Sequence, residues 1–344
     1  MLERLQRISR AIESNLVLFM ALSITAGVLF GWVSPAATSY LKYFNKIALF
    51  IMLYPMMVGL RIEEVGKAAT NMKLIGLSMV FNFILSPLVA GGLAYVLLHD
   101  RPDFAVGLIL TGTVPCAGMV AGWTGYAKGN VALAMVIVVI SLLVSIIAIP
   151  IWMPILAGVY VQLDALAMLK DILITVVVPL ILGDMTRRLI IRWGGHDAFH
   201  RIKPILPGAS MLGMYVIVFV SMALESENIL NNPQLFLIVF APLSLLYLIM
   251  FGGAVLFAKV SRFSYENMIA FTYGVAGKNI AIALALATIF FSPMTVLVLA
   301  IKPVVQIAFM ALFLRATPFL RKSFAGFHGL GMAPTTRHMG KRSH

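Results

Sequence analysis

Apolar residues in this chain arrive in blocks long enough to cross a lipid bilayer, one after another, with charge confined to the short stretches between them. A spanning helix needs about 20 consecutive, mostly apolar residues. Backbone N–H and C=O groups find no water in a bilayer, so such a segment closes its hydrogen bonds within itself as a helix. The pattern predicts an all-α membrane protein. Composition points the same way: 61% of the residues are hydrophobic and 11% charged, against about 25% charged in a soluble domain. No globular core hides that much apolar surface.

Ten spans are expected, at residues 15–32, 44–60, 74–98, 104–126, 131–156, 168–193, 205–224, 235–258, 268–291 and 294–314. Charge tests the count. With the N-terminus in the cytoplasm, the outer segments hold only Lys42, Lys46, Arg101 and Lys170. Lys278 and Lys302 lie inside spans, and every other Lys and Arg falls in an inner segment. That asymmetry obeys the positive-inside rule, puts both termini in the cytoplasm and explains the +13 net charge without nucleic acid. Residues 1–14 read as a charged, amphipathic cytoplasmic segment that runs straight into the first span, not as a cleavable leader. Residues 315–344 read as a basic, Gly-rich cytoplasmic tail, either solvated or lying on anionic lipid headgroups. The expected location is the cell (plasma or inner) membrane.

Ten spans divide into two repeats of five, residues 15–156 and 168–314, joined by a loop at 157–167. An odd number of spans per repeat inserts the second copy upside down. The fourth and ninth spans are then counterparts, and both are interrupted. The fourth carries Thr111-Gly112-Thr113-Val114-Pro115-Cys116-Ala117-Gly118; the ninth carries Tyr273-Gly274-Val275-Ala276-Gly277-Lys278-Asn279. Interrupted spans at matching positions are the best pointer in a sequence to a transporter's binding site, although Gly and Pro are also common in ordinary membrane helices. The candidate substrate residues are therefore Cys116, Pro115, Thr113, Asn82, Tyr273, Gly274, Lys278 and Asn279.

Three of these carry distinct chemistry. Cys116 follows a proline that frees backbone groups; its thiol suits a soft, thiophilic solute, or it packs as a small hydrophobe. Lys278 is costly at mid-depth and needs a cavity or a partner. It could bind an anion, replace a bound cation, carry a coupling proton, or be satisfied by carbonyls of the break. Asn82 and Asn279 are site ligands or interhelical hydrogen-bonding groups. Lys302 lies early in the last span, within reach of the outer interface. Nearly all acids fall in loops or at span ends; Asp184 is the main exception, near the inner end of the sixth span, and Arg187 and Arg188 follow at helical spacing, so a structural ion pair competes with a role in coupling. All six histidines fall in loops or the tail, and His196 and His200 read as loop residues. No cofactor, metal centre or nucleotide motif is visible, and nothing indicates an enzyme.

The stretch VPCAGMVAGWTGYAKGN, residues 114–130, resembles the Cys-x-x-Met-Val-x-x-Trp…Ala-Lys-Gly-Asp segment of the arsenite-efflux branch of the bile acid:sodium symporter superfamily. MLYPMMVGL (52–60), NFILSPL (82–88), and Phe271-Thr272 with the Ala-rich 280–287 are similar to further segments of that branch. The resemblance implies ten helices with a panel and a core, crossing broken fourth and ninth helices, and alternating access. It implies that Cys116 binds arsenite or antimonite and that export exchanges against protons. The chain also departs from the pattern. The branch's ninth-span acid falls at Asn279 and its last-span acid near Lys302. The sodium-binding Ser-Asn pair of the bile acid branch falls at Val120-Ala121, and that branch's ninth-span Glu and Gln fall at Gly274 and Lys278. Sodium-independent transport is the expectation, with arsenite or antimonite as solute, or else a small organic or inorganic anion.

Overall fold

A computed structural model describes residues 2–41, 43–60 and 72–324, and within them the chain is helical throughout, with no β-strand. The first helices are α1 (Leu2–Ser14), α2 (Leu16–Val33), the short α3 (Pro35–Leu41) and α4 (Phe44–Val58). The third apolar block forms α5 (Met72–Val80), a π-helical turn over Phe81–Leu85, and α6 (Ser86–Leu97). The fourth is split into α7 (Pro102–Thr113) and α8 (Val120–Tyr126). Then come α9 (Val131–Ala157), α10 (Ala165–Ile172), a second π turn (Leu173–Val177) and α11 (Val178–Ile202). They are followed by α12 (Leu206–Leu224), the short α13 (Ser226–Asn231) and α14 (Leu235–Val260). The ninth block is split into α15 (Tyr265–Ala276) and α16 (Ile280–Phe290), and α17 (Pro293–Phe324) closes the described chain.

Six helical stretches are long and apolar enough to cross a bilayer, judged by length and composition. The two split blocks are too short on either side of their breaks to qualify, which is what an interruption at mid-membrane produces.

The helices pack as two groups. One is built from α1, α2, α4, α11 and α12, in which α12 lies against both α2 and α4, and α11 lies against α4. Small residues set these distances. A Cβ at Gly213 would sit 2.6 Å from the Met52 nitrogen, and Ser210 donates to the Met52 carbonyl at 2.5 Å. Close backbone approach of this kind is how membrane helices associate where lipid offers no hydrophobic driving force. The other group comprises α5 to α9 and α14 to α17, with α7 between α6 and α17, and α15 against α14 and α9. The groups meet where α4 and α12 face α16, and where α12 and α2 touch α17.

α17 continues past the expected end of the last span to Phe324, through Pro318 and a basic final turn, and residues 325–344 lie outside the described residues. One expectation is corrected here. His196 and His200 are helical rather than in a loop. Gly195, at φ 73°, kinks α11, and the helix resumes through Ile202. Glycine adopts that left-handed backbone without a Cβ penalty.

Candidate functional site

α7 stops because Pro115 cannot donate to a continuing helix, and Val114 turns extended at φ −70°, ψ 153°. α15 stops at Ala276, and the chain passes through Gly277 and Lys278 before Asn279 starts α16. The two unwound stretches run past each other as an antiparallel bridge between Cys116 and Lys278. The Ala117 N–H donates to Gly277 O at 2.7 Å, and the Asn279 N–H donates to Pro115 O at 2.8 Å. Non-helical backbone at membrane depth survives only where it is buried in protein or lines a cavity; here it does both. Gly277 is required by the approach, since a Cβ there would meet the Val120 side chain at 2.5 Å.

A cavity of about 440 Å³ lies on one face of this bridge, between the two helix groups. One wall is Cys116 to Met119, Gly122, Trp123 and Tyr126, with Val138 and Leu142 of α9 and Asn279 to Ala281 at the start of α16. The opposite wall is Pro55, Met56, Gly59 and Leu60 after and within α4, and Leu206, Pro207, Ser210, Met211 and Met214 of α12. Its rim reaches Glu13, Leu16 and Lys203. The lining is rich in sulfur: the thiol of Cys116 and the thioethers of Met56, Met119, Met211 and Met214. Met56 Sδ accepts from Asn279 Nδ2 at 3.8 Å, a contact that bridges the two walls.

Cys116 is 1% exposed. Ser141 Oγ accepts its backbone N–H at 3.2 Å and lies 3.2 Å from its Sγ and 2.9 Å from Val138 O. The single hydroxyl proton serves one of those two acceptors at a time. The thiol is thus held at the cavity floor by a partner that can release it.

Most of the remaining sequence candidates form a buried layer behind the cavity. Lys278 does not line it. Its Nζ turns the other way and donates to Asn82 Oδ1 at 3.0 Å, Gly112 O at 3.2 Å and Asn82 O at 3.3 Å. Asn82 sits in the first π turn, and its Nδ2 donates to Gly274 O at 3.0 Å and Ser78 O at 3.0 Å. Thr113 Oγ1 donates within its own turn, to Leu110 O at 3.1 Å. The Tyr273 hydroxyl donates to Met310 O at 3.1 Å. Asn279 caps α16 by accepting from Ile282 N at 3.1 Å. Of the eight candidates, Cys116 and Asn279 touch the cavity itself.

Asp184 stands apart from all of these. It pairs with Arg187 at 2.6 Å and Arg188 at 2.7 Å, and Arg187 also donates to Leu60 O at 3.0 Å. Lys302 corrects another expectation: it is fully buried rather than reaching an interface. Its Nζ has no hydrogen-bond partner among the described residues.

Residue reasoning missed Met56, Met211, Met214, Trp123 and Ser141. Methionines inside apolar spans look like ordinary packing, and only the facing of α4 and α12 toward the breaks distinguishes them.

Comparison with known proteins adds the following. A family model described as the Sodium Bile acid symporter family matches residues 46–232. The chain is 22% identical to an arsenical-resistance protein, Acr3, of Corynebacterium glutamicum, over 70% of this chain and 68% of that one. It is 24% identical to Acr3 of Alkaliphilus metalliredigens, over 80% and 82% of the two chains. It is 28% identical to an uncharacterized sodium-dependent transporter, YocS, of Bacillus subtilis, over 81% and 82%.

Proposed function

The chain belongs to the sodium bile acid symporter family and is an integral membrane transporter, not an enzyme; within that family we propose that it exports arsenite or antimonite by alternating access, without sodium. The observation that carries this reading is the sulfur-lined cavity with Cys116 at its floor. Trivalent arsenic and antimony are soft centres, and thiol and thioether sulfur are the soft donors among side chains. A thiol displaces one hydroxyl of arsenous acid as water, and a single As–S bond leaves the solute free to depart. The two Acr3 relatives carry arsenical resistance in their names.

The transported state follows from the same frame. With both termini in the cytoplasm of the cell membrane, and with ten spans as two inverted five-helix repeats, the rim at Glu13 and Lys203 opens inward. The α2–α4–α11–α12 group is then the panel against which the other group rocks. Sodium independence rests on the lining: among the described residues its acidic member is Glu13, at the rim rather than beside the breaks. The relative YocS is called sodium-dependent, so the contrast is testable.

Cells lacking their own exporter should accumulate less arsenite when they express this protein. Cys116→Ser should abolish the difference, and replacing sodium by choline should leave export unchanged. Equal accumulation with and without the protein ends the proposal.

A second reading, transport of a small organic anion, is favoured by the cavity volume, which lies in the range of organic ligand sites, about 300–1,000 Å³. Counterflow of a labelled carboxylate that survives Cys116→Ser would select it.

A further inference from the structure

Two of the three oxygens around the Lys278 ammonium come from places where backbone is freed from its own helix. Gly112 O belongs to the last turn of α7, one of the carbonyls that a helix end leaves without an intrahelical donor. It is also the negative end of that half-helix. Asn82 O belongs to the π turn, where the hydrogen-bond ladder is shifted. Asn82 Oδ1 completes the set. The same Asn82 side chain donates to Gly274 O in the last turn of α15, the other broken half-helix. One asparagine therefore joins the negative ends of both half-helices, and the ammonium sits among them, 2% exposed.

Such a ring of carbonyl oxygens is what strips and holds an alkali cation in membrane proteins. The unwound carbonyls and half-helix C-termini of transporters are where coupling cations are coordinated. Each donor distance here is 3.0–3.3 Å, so the ammonium makes three ordinary hydrogen bonds and fills the cradle.

We infer that Lys278 is a built-in cation: its ammonium occupies an oxygen cradle formed by Asn82 and Gly112, in the seat a diffusible monovalent cation would take, and thereby makes the charge at the crossing a permanent part of the protein. Truncating the side chain removes the donor that the three oxygens share, leaving Gly112 O with Ser86 Oγ at 2.8 Å, and the vacated cradle accepts a free cation. This holds whatever solute the cavity carries.

The test is thermal unfolding of the purified full-length protein in choline, sodium, potassium and ammonium chlorides at matched ionic strength. The unaltered protein should unfold at the same temperature in all four. Lys278→Ala should unfold several degrees lower in choline, and a small cation should restore part of the loss, saturably. The double variant Lys278→Ala/Asn82→Ala should lose that recovery. Where Lys278→Ala does not purify, Lys278→Gln carries the same comparison. A Lys278 variant indifferent to the cation, or an unaltered protein that already needs one, overturns the inference. Neither result bears on whether Cys116 carries arsenite.

Discussion

Two buried lysines near the crossing have opposite circumstances. Lys278 makes three hydrogen bonds, whereas Lys302 has none among the described residues. An ammonium buried without a partner costs free energy. Lys302→Met keeps the length and removes the buried, unbonded amino group, so it should stabilise the fold by on the order of 1–3 kcal/mol, read as a higher unfolding temperature. Ionisable groups held inside a membrane are functional by default, so the same variant should transport more slowly. Differential scanning of the purified protein and initial export rates measure the two effects. At Asp184 the opposite sign is expected. Asp184→Asn leaves the Arg187 guanidinium, 2% exposed, without its carboxylate, a loss of about 3 kcal/mol for a buried pair. Its export rate per folded molecule should be unchanged, because the pair lies away from the crossing. A rate that falls while stability holds would return Asp184 to the coupling machinery.

Among the helices, the breaks were legible in the sequence and their partners were not. Pro115 and the Gly277-Lys278 pair announce where α7 and α15 must stop, because proline lacks a donor and glycine tolerates the turn. The apolar blocks announce the other spans, because bilayer thickness fixes their length. Nothing local announces the π turn at Phe81–Leu85, since its apolar residues fit an α-helix equally well. Nor does the sequence near Lys278 reveal that its acceptors lie 166 and 196 positions away. The π turn is what rotates Asn82 into place, so it offers a test at this scale. A π turn amounts to one inserted residue in an α-helix. Deleting Ile84 should convert it to regular helix, turn Asn82 away from Lys278 and Gly274, and lower the unfolding temperature more than deleting a residue from the exposed end of α6 near Leu97. Comparable losses from the two deletions would deny the turn any special part.

For the molecule as a whole, the cavity lies between two helix groups that meet where α12 packs on α16 and α17, α4 on α16, and α2 on α17. Alternating access requires those contacts to separate in each cycle. Met56 and Asn279 touch across the gap. A Met56→Cys/Asn279→Cys pair, bridged by a short reducible bifunctional reagent, should stop export, and reduction should restore it. Export that continues with the bridge complete would mean that the groups do not part there. The membrane character and the positions of the breaks could be read from the chain alone. The division of labour between the walls could not, because it depends on which faces of α4 and α12 the packing turns inward.

The antiparallel bridge at Cys116 and Lys278 has a consequence for how such a protein diversifies. Each of these peptide segments supplies the other's hydrogen bonds, so an altered residue in one strains both. The facing methionines on α4 and α12 carry no such obligation. New solutes are therefore most readily accommodated by repainting the far wall, which leaves the hydrogen bonds of the crossing undisturbed.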